Sequence, residues 1–271
     1  MMRFFQGCNA LVTGASSGLG AEFARQLAPL ASRLVLVARR NDRLEELADD
    51  LRRFHPHLEV RVFAADLATA DRRNALADWL ASEKIDINFL INNAGLGDHG
   101  EFHSSDWARV QAMLDLNITA LTHLTHLLVN RMIVQGRAAI LNVSSVAGFF
   151  PLPTMSVYSA TKAYVTSFSE SLAMELRPQG ITVTALCPGP VPTEFFEVAT
   201  RPGDEDRANN FKTCPALVAS PFEVVRAGLE AVARDRARVI PNPLLAATVA
   251  IGLAIPFFIV RRILAARASA H

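Results

Sequence analysis

Tyr158 and Lys162 stand four residues apart in Tyr158-Ser159-Ala160-Thr161-Lys162. The apolar pattern of residues 155–176 predicts a helix, and that spacing puts both side chains on one face. A free phenol, with a pKa of about 10, is a poor proton carrier at neutral pH. An ammonium about 4 Å away is worth ~4 kcal/mol at an effective dielectric of ~20, or roughly three pKa units. The spacing therefore predicts a Tyr158 phenol near pKa ~7, tuned by Lys162. Only three lysines (Lys84, Lys162, Lys212) stand among the 27 basic residues, so a merely solvated site would more often have drawn arginine. Ser145 lies thirteen residues before Tyr158, at the end of Asn142-Val143-Ser144-Ser145, where its hydroxyl can meet a substrate carbonyl oxygen. Ser144 reads as packed or capping. Asn117, an amide inside the apolar run Leu116-Asn117-Ile118, needs partners of its own. Together these residues suit proton transfer at an oxygen.

A second constellation suits phosphate. Thr13-Gly14-Ala15-Ser16-Ser17-Gly18-Leu19-Gly20 falls where a strand pattern turns into a helix pattern. Glycines 14, 18 and 20 allow a tight turn, close approach of a pyrophosphate and close helix–strand packing. The helix N-terminus adds free amides and a positive dipole end. The next strand pattern ends Val37-Ala38-Arg39-Arg40, without the acidic residue that would hold a ribose 2′-OH. Two guanidiniums there suit a 2′-phosphate, which points to NADP rather than NAD. Asp66, at the end of the third strand pattern, is placed to accept from an adenine amino group or to cap the following turn.

These groups need a scaffold, and the chain supplies an alternating one. Residues 9–13, 33–39, 59–65, 89–92, 138–144 and 182–186 read as nearly continuous apolar strands, as parallel strands covered on both faces do. Residues 18–30, 42–54, 71–82, 106–134 and 155–176 read as helices, with Asp42, Asp71 and Asp106 as N-caps. Strand–helix alternation predicts an α/β, Rossmann-type doubly wound parallel sheet. A long Pro/Gly-rich segment follows Gly189, read as a substrate lid over about 190–216. A helix at 221–234 and a seventh strand at 237–240 complete one domain, residues 1–243. Residues 244–271 form a C-terminal apolar helical extension.

Composition narrows the field. A chain of 271 residues with 51% apolar and 20% charged residues is long enough for a sizeable core and unlike a disordered one. A net charge of +1 gives no long-range field for polyanions, so a nucleic-acid partner is not expected. Three widely spaced cysteines (Cys8, Cys187, Cys214) make no CxxC, and Cys187 is expected to be buried. Residues 1–9 lack the apolar run of a signal peptide, which suggests a cytoplasmic protein. His123 and His126, or His55 and His57, lack converging further ligands, so no metal site is expected. Trp79, Trp107, Phe4 and Phe5 read as packing.

Taken in order, TGASSGLG, NNAG, YSATK and CPGPVPT resemble the short-chain dehydrogenase/reductase family over about residues 9–193, with a looser match to Ile240. The resemblance implies catalysis by Ser145, Tyr158 and Lys162, with Asn117 holding a water in a proton relay. It implies that Lys162 also binds the nicotinamide ribose, Asn93 lines the adenosine side, and Val191 and Thr193 hold the carboxamide. It places Gly14, Ser16, Ser17, Gly18, Leu19, Gly20, Arg39, Arg40, Asp66 and Leu67 around NADP(H), with Arg39 on the 2′-phosphate. A homodimer or homotetramer built on helices 106–134 and 155–176 is also implied.

The expected reaction interconverts a ketone and a secondary alcohol. The rival reading is a nucleotide-binding sensor or scaffold without turnover, and within the enzyme class a 3-oxoacyl thioester reductase. Phe149, Phe150, Pro151, Leu152, Phe195 and Phe196 suggest an apolar substrate or simple packing. Residues 244–260 carry no charge, and Arg261, Arg262 and Arg267 follow. Three readings stay open for them: an interface or pocket cover, a monotopic membrane anchor reaching through residue 262, and a membrane span shortened by Pro256.

Overall fold

The computed structural model describes residues 2–201 and 215–255. Seven parallel strands form one sheet in the order β3-β2-β1-β4-β5-β6-β7. They are β1 (Asn9–Thr13), β2 (Arg33–Ala38), β3 (Glu59–Ala64), β4 (Phe89–Asn92), β5 (Ala138–Val143), β6 (Ile181–Leu186) and β7 (Arg238–Val239). The predicted doubly wound sheet is present, and its strand order reverses between β1 and β4. Such a switch point opens a crevice at the carboxyl ends of the strands.

The continuous apolar strands follow from burial on both faces. Ala10, Val12, Leu34, Leu36, Phe89 and Ile91 face one core, with α1 (Gly18–Leu27), α2 (Asn41–Phe54) and the late helix Pro221–Ala233. Leu11, Val35, Val37, Leu90, Ile140 and Val183 face the other, with α3 (Ala70–Ser82), α5 (Leu121–Val134) and α6 (Ser156–Leu176). At the carboxyl edge Asn92 sits beside Asn142 in register. The Asn92 amide donates to Asn142 Oδ1 (2.9 Å) and Thr125 Oγ1 (3.0 Å), and the Asn142 amide donates to Ser169 Oγ (2.9 Å). This buried chain of amides pins β4 and β5 to α5, which follows the turn carrying Asn117, and to α6, which carries Tyr158 and Lys162.

Several expectations change. The helix expected over 106–134 is α4 (Trp107–Leu114), a π-helical turn (Asp115–Ala120) and α5. Asp106 caps as expected, accepting from Ala108 N at 3.1 Å. Asp42 and Asp71 instead fall inside the first turns of α2 and α3, whose N-caps are Arg40 and Thr69; there they still favour the helix dipole. Trp107 is 65% exposed rather than packed, since it opens α4 on the outer side. The segment after Gly189 holds a short helix, α7 (Phe195–Ala199), before α8 (Pro221–Ala233). Residues 202–214 of the expected lid, with Lys212 and Cys214, and residues 256–271 with their arginines lie outside the described residues.

Residues Pro243–Ala254 form α9, capped by Asn242 on Leu245 N (3.1 Å). Twelve residues reach only about 18 Å, and among the described residues no helix is long and apolar enough to cross a membrane. Leu245 and Val249, one turn apart, are buried, whereas Leu244, Ile251 and Leu253 are exposed. A Cβ on Gly189 would lie 2.4 Å from Leu245 Cδ2, and one on Gly252 would lie 2.6 Å from Phe150 Cζ. One face of α9 is thus packed on the loops after β5 and β6.

Candidate active site

The loop after β1 approaches the loop after β4 more closely than any side chain would permit. Gly14 (φ +66°) and Gly18 (φ +53°) adopt left-handed backbone, and a Cβ on Gly20 would stand 2.1 Å from the Gly14 carbonyl oxygen. Asn93 lies beneath this turn. Its amide nitrogen donates to the carbonyls of Thr13 (2.9 Å) and Gly14 (3.3 Å), so the side chain holds the loop in shape. Ser17, the N-cap of α1, places no side-chain oxygen on the helix's first amides. Those groups and the dipole end suit an anion. Thr193 packs on Gly18, with 3.3 Å from its Cβ to a Cβ built there, and Val191 is buried nearby in sequence.

The two arginines after β2 differ in their ties. Arg39 is exposed and, among the described residues, has no ion pair or hydrogen bond. Arg40 donates to Ser16 Oγ (3.2 Å) and Ser17 Oγ (2.9 Å) and pairs with Glu194 at 3.0 Å. Arg43, one turn along α2, grips the same carboxylate at 2.6 Å and, with Arg40, holds Glu194 below the usual carboxylate range. Asp66 is exposed and caps its own turn, accepting from Ala68 N at 3.0 Å, while Leu67 is buried. Loop, arginine and acid thus line one edge with the chemistry of a 2′-phosphorylated dinucleotide's binding groups; the residues fit it.

Ser145, Tyr158, Lys162 and Asn117 are all buried on the same side of the sheet edge. Ser144 turns inward, bonding Lys162 O (2.8 Å) and Thr166 Oγ1 (2.7 Å), as expected of a packed residue. Ser145 Oγ accepts from Ala147 N (3.1 Å) and contacts the Tyr158 phenol. The Lys162 ammonium donates to Val143 O (2.9 Å) and sits 5.7 Å from the Tyr158 ring centre. A Cβ on Gly95 would stand 3.5 Å from Lys162 Nζ and 3.3 Å from Asn117 Oδ1, so Gly95 lies against both groups.

Asn117 lies in the π-turn, a wider turn frequent at functional sites. Its amide clasps Leu96 from both sides, donating to the carbonyl (2.9 Å) and accepting from the N–H (2.8 Å), and reaches Thr161 Oγ1 (3.0 Å).

The expected tuning of Tyr158 to near neutrality is overturned in this state. Burial pushes the phenol up to about 12, and the Ser145 contact opposes that push. Burial also lowers Lys162 to about 8. The ammonium is turned toward a backbone carbonyl. Desolvation outweighs attraction here.

Met113, Ala147 and Met155 pack with Tyr158 in one buried cluster, joined by Leu96, Leu152, Val157 and Phe195. The Phe195 ring lies 5.5 Å from that of Tyr158. Of the other aromatic residues expected here, Phe149 stacks under Arg238 (5.2 Å), Phe150 meets α9, and Phe196 is exposed.

Sequence reading missed Asp98, which ties Arg201, after α7, to Arg109 on α4. Its carboxylate is buried and takes Arg201 on both oxygens (3.0 and 2.6 Å) and Arg109 at 2.9 Å. Gly97 lets Phe195 come within 2.7 Å of where its Cβ would be. Among the described residues no cluster of histidine, cysteine or acid could hold a metal. Cys8 and Cys187 are buried and free, their thiols pushed up by burial to about 12 and about 11.

The short chain dehydrogenase family profile matches residues 8–202. The chain belongs to the short-chain dehydrogenase/reductase family of oxidoreductases. It is 39% identical over 194 residues to sulfoacetaldehyde reductase of Chromohalobacter salexigens, covering 70% of this chain and 74% of that one. It is 32% identical over 193 residues to very-long-chain 3-oxoacyl-CoA reductase-A of Danio rerio, covering 70% of this chain and 60% of that enzyme. A short-chain dehydrogenase from Sphingobium yanoikuyae, solved with NADPH, superposes with a TM-score of 0.78 at 37% identity, covering 89% of this chain and 90% of that one. The bulky-bulky ketone specific alcohol dehydrogenase of Comamonas testosteroni does so with 0.73 at 33% identity, covering 92% and 95%.

Proposed function

We propose that this chain is an NADP(H)-dependent oxidoreductase interconverting an apolar ketone and its secondary alcohol. The observation that carries this reading is the apolar cluster around the Tyr158 phenol, with Ser145 against the same oxygen. When bound, the nicotinamide supplies or accepts the hydride. Ser145 orients the substrate oxygen by hydrogen bonding, and Tyr158 gives it a proton in reduction and removes one in oxidation. Lys162 steadies the phenolate by its charge, and Asn117 fixes the Leu96 loop beside it.

Gly14, Ser16, Ser17, Gly18, Leu19 and Gly20 receive the pyrophosphate. Arg39 and Arg40 receive the 2′-phosphate, Asp66 and Leu67 the adenine, and Val191 and Thr193 the carboxamide, while Asn93 keeps the loop in shape. The NADPH-bound Sphingobium relative supports the cofactor. The ketone-specific Comamonas relative supports the substrate class, whereas a small sulfonated aldehyde would meet mostly Met, Leu and Phe. The protein is read as a cytoplasmic homodimer or homotetramer, with membrane contact through residues 244–262 as an alternative use of α9.

NADPH consumption over a panel of apolar ketones, sulfoacetaldehyde and a 3-oxoacyl thioester tests the reading. The expected result is preference for apolar ketones, lost in Tyr158→Phe with NADPH binding retained. NADPH binding with no ketone turned over would favour the sensor reading. Thioester preference would favour the 3-oxoacyl reductase.

A further inference from the structure

We infer that Arg73, seven residues beyond Asp66 and in neither motif, is a positioning residue for the adenine half of the cofactor site. The inference rests on the cofactor reading above.

Arg73 sits in the first turn of α3 and is only 4% exposed, rare burial for a guanidinium. Such a group must be fully engaged to be tolerated. One terminal nitrogen donates to the carbonyls of Leu67 (2.7 Å) and Ala68 (2.8 Å), the two residues immediately after Asp66. Its Nε donates to His123 Nδ1 on α5 at 3.0 Å, so His123 is the neutral tautomer with its proton on Nε2. Burial, then the Arg73 charge, then His126 lower the His123 pKa, which agrees with a neutral ring.

The turn at Asp66 also has local bonds. Ala68 N and Asp66 Oδ1 close it, and Thr69 Oγ1 donates to Asp66 O at 3.2 Å. Those bonds bend the turn, and its anchorage comes from Ala65, whose N–H donates to Ala38 O (2.8 Å), and from the buried Leu67 side chain. Arg73 adds a further polar tie, linking two consecutive carbonyls to His123 on α5. A loop whose carboxylate must meet an adenine edge gains from such preorganisation. Lysine has a point charge and no fork, so it can serve the carbonyls but not His123 as well.

The test uses the whole chain and 2′,5′-ADP, which carries the adenosine phosphates and no nicotinamide. Calorimetry should show roughly tenfold or greater weakening of 2′,5′-ADP in Arg73→Met, with Arg73→Lys in between. NADPH KM should rise in parallel, while kcat at saturating NADPH stays within about twofold. His123→Phe, which leaves the carbonyl bonds in place, should weaken 2′,5′-ADP by less than Arg73→Met does. It also serves as the second variant if Arg73→Met does not fold. Folded Arg73→Met that binds 2′,5′-ADP as the parent does would overturn the inference, as would a kcat loss matching the affinity loss. If only His123→Phe folds, parent-like 2′,5′-ADP binding in it overturns the inference. Failure of the parent chain itself to bind 2′,5′-ADP would instead overturn the cofactor reading.

Discussion

Replacing Lys162 by Met removes the cation nearest the Tyr158 phenol while keeping much of the side-chain volume. With the 5.7 Å from Nζ to the ring centre taken as the scale of their separation, unit charges at an effective dielectric of ~20 interact by ~3 kcal/mol, about two pKa units. The cation favours the phenolate, so its loss raises the Tyr158 pKa. Alcohol oxidation needs the phenolate, and its rate should therefore need higher pH in the variant. On the rising limb a shift of about two units appears as a roughly hundredfold lower kcat/KM at the same pH. Lys162 is itself lowered to about 8, so its help acts below that pH and fades above it. The parent profile belongs to the pair rather than to either group. The assay is kcat/KM for oxidation of a secondary alcohol against pH in both proteins, with cofactor saturating. Superimposable limbs would refute the reasoning and leave Tyr158 governed by burial and Ser145 alone.

Arg39→Asp should weaken NADPH by roughly tenfold to a hundredfold and leave NADH equal or better; an unchanged ratio in steady-state kinetics would transfer the 2′-phosphate to Arg40. Gly20→Ala forces a backbone shift, because its Cβ would sit 2.1 Å from Gly14 O. The cost is on the order of 3 kcal/mol, which in a chain of this size lowers Tm by roughly 6–12 °C. Gly136→Ala meets nothing within 4 Å and carries only the strain of φ +76°, so calorimetry should find it clearly milder. Truncation after Asn242 takes Leu245 off Gly189 and should raise the KM for apolar ketones, measured alongside oligomer size and membrane fractionation. Unchanged kinetics would remove α9 from the pocket wall, and full-length protein that fractionates wholly without membrane would remove the anchor reading.

The strands were legible because burial on both faces writes nearly every residue of a parallel strand as apolar, as in Leu34–Ala38. The motif residues were legible because a close phosphate approach demands glycine and a Tyr-x-x-x-Lys spacing puts both side chains on one helix face. One extra residue in a helical turn leaves hydrophobic periodicity almost unchanged, so the π-turn at Asn117 read as ordinary helix. Sequence spacing gave the shared face of Tyr158 and Lys162 but not the side-chain direction, and Lys162 turned to Val143 O. The Glu194–Arg40 and Asp98–Arg201 pairs join residues 154 and 103 positions apart. No local pattern marks such pairs, nor the contact of Arg73 with His123, 50 positions away on α5.

The central claim is that this site moves a hydride between a nicotinamide and an apolar carbonyl carbon while Tyr158 handles the proton. NADPH deuterated at both positions of nicotinamide C4, incubated with the protein and an apolar ketone, tests it by mass spectrometry of the alcohol. The account predicts one deuterium on the carbinol carbon and none in the Tyr158→Phe reaction mixture. Alcohol formed without deuterium, or formed equally well by Tyr158→Phe, would contradict it.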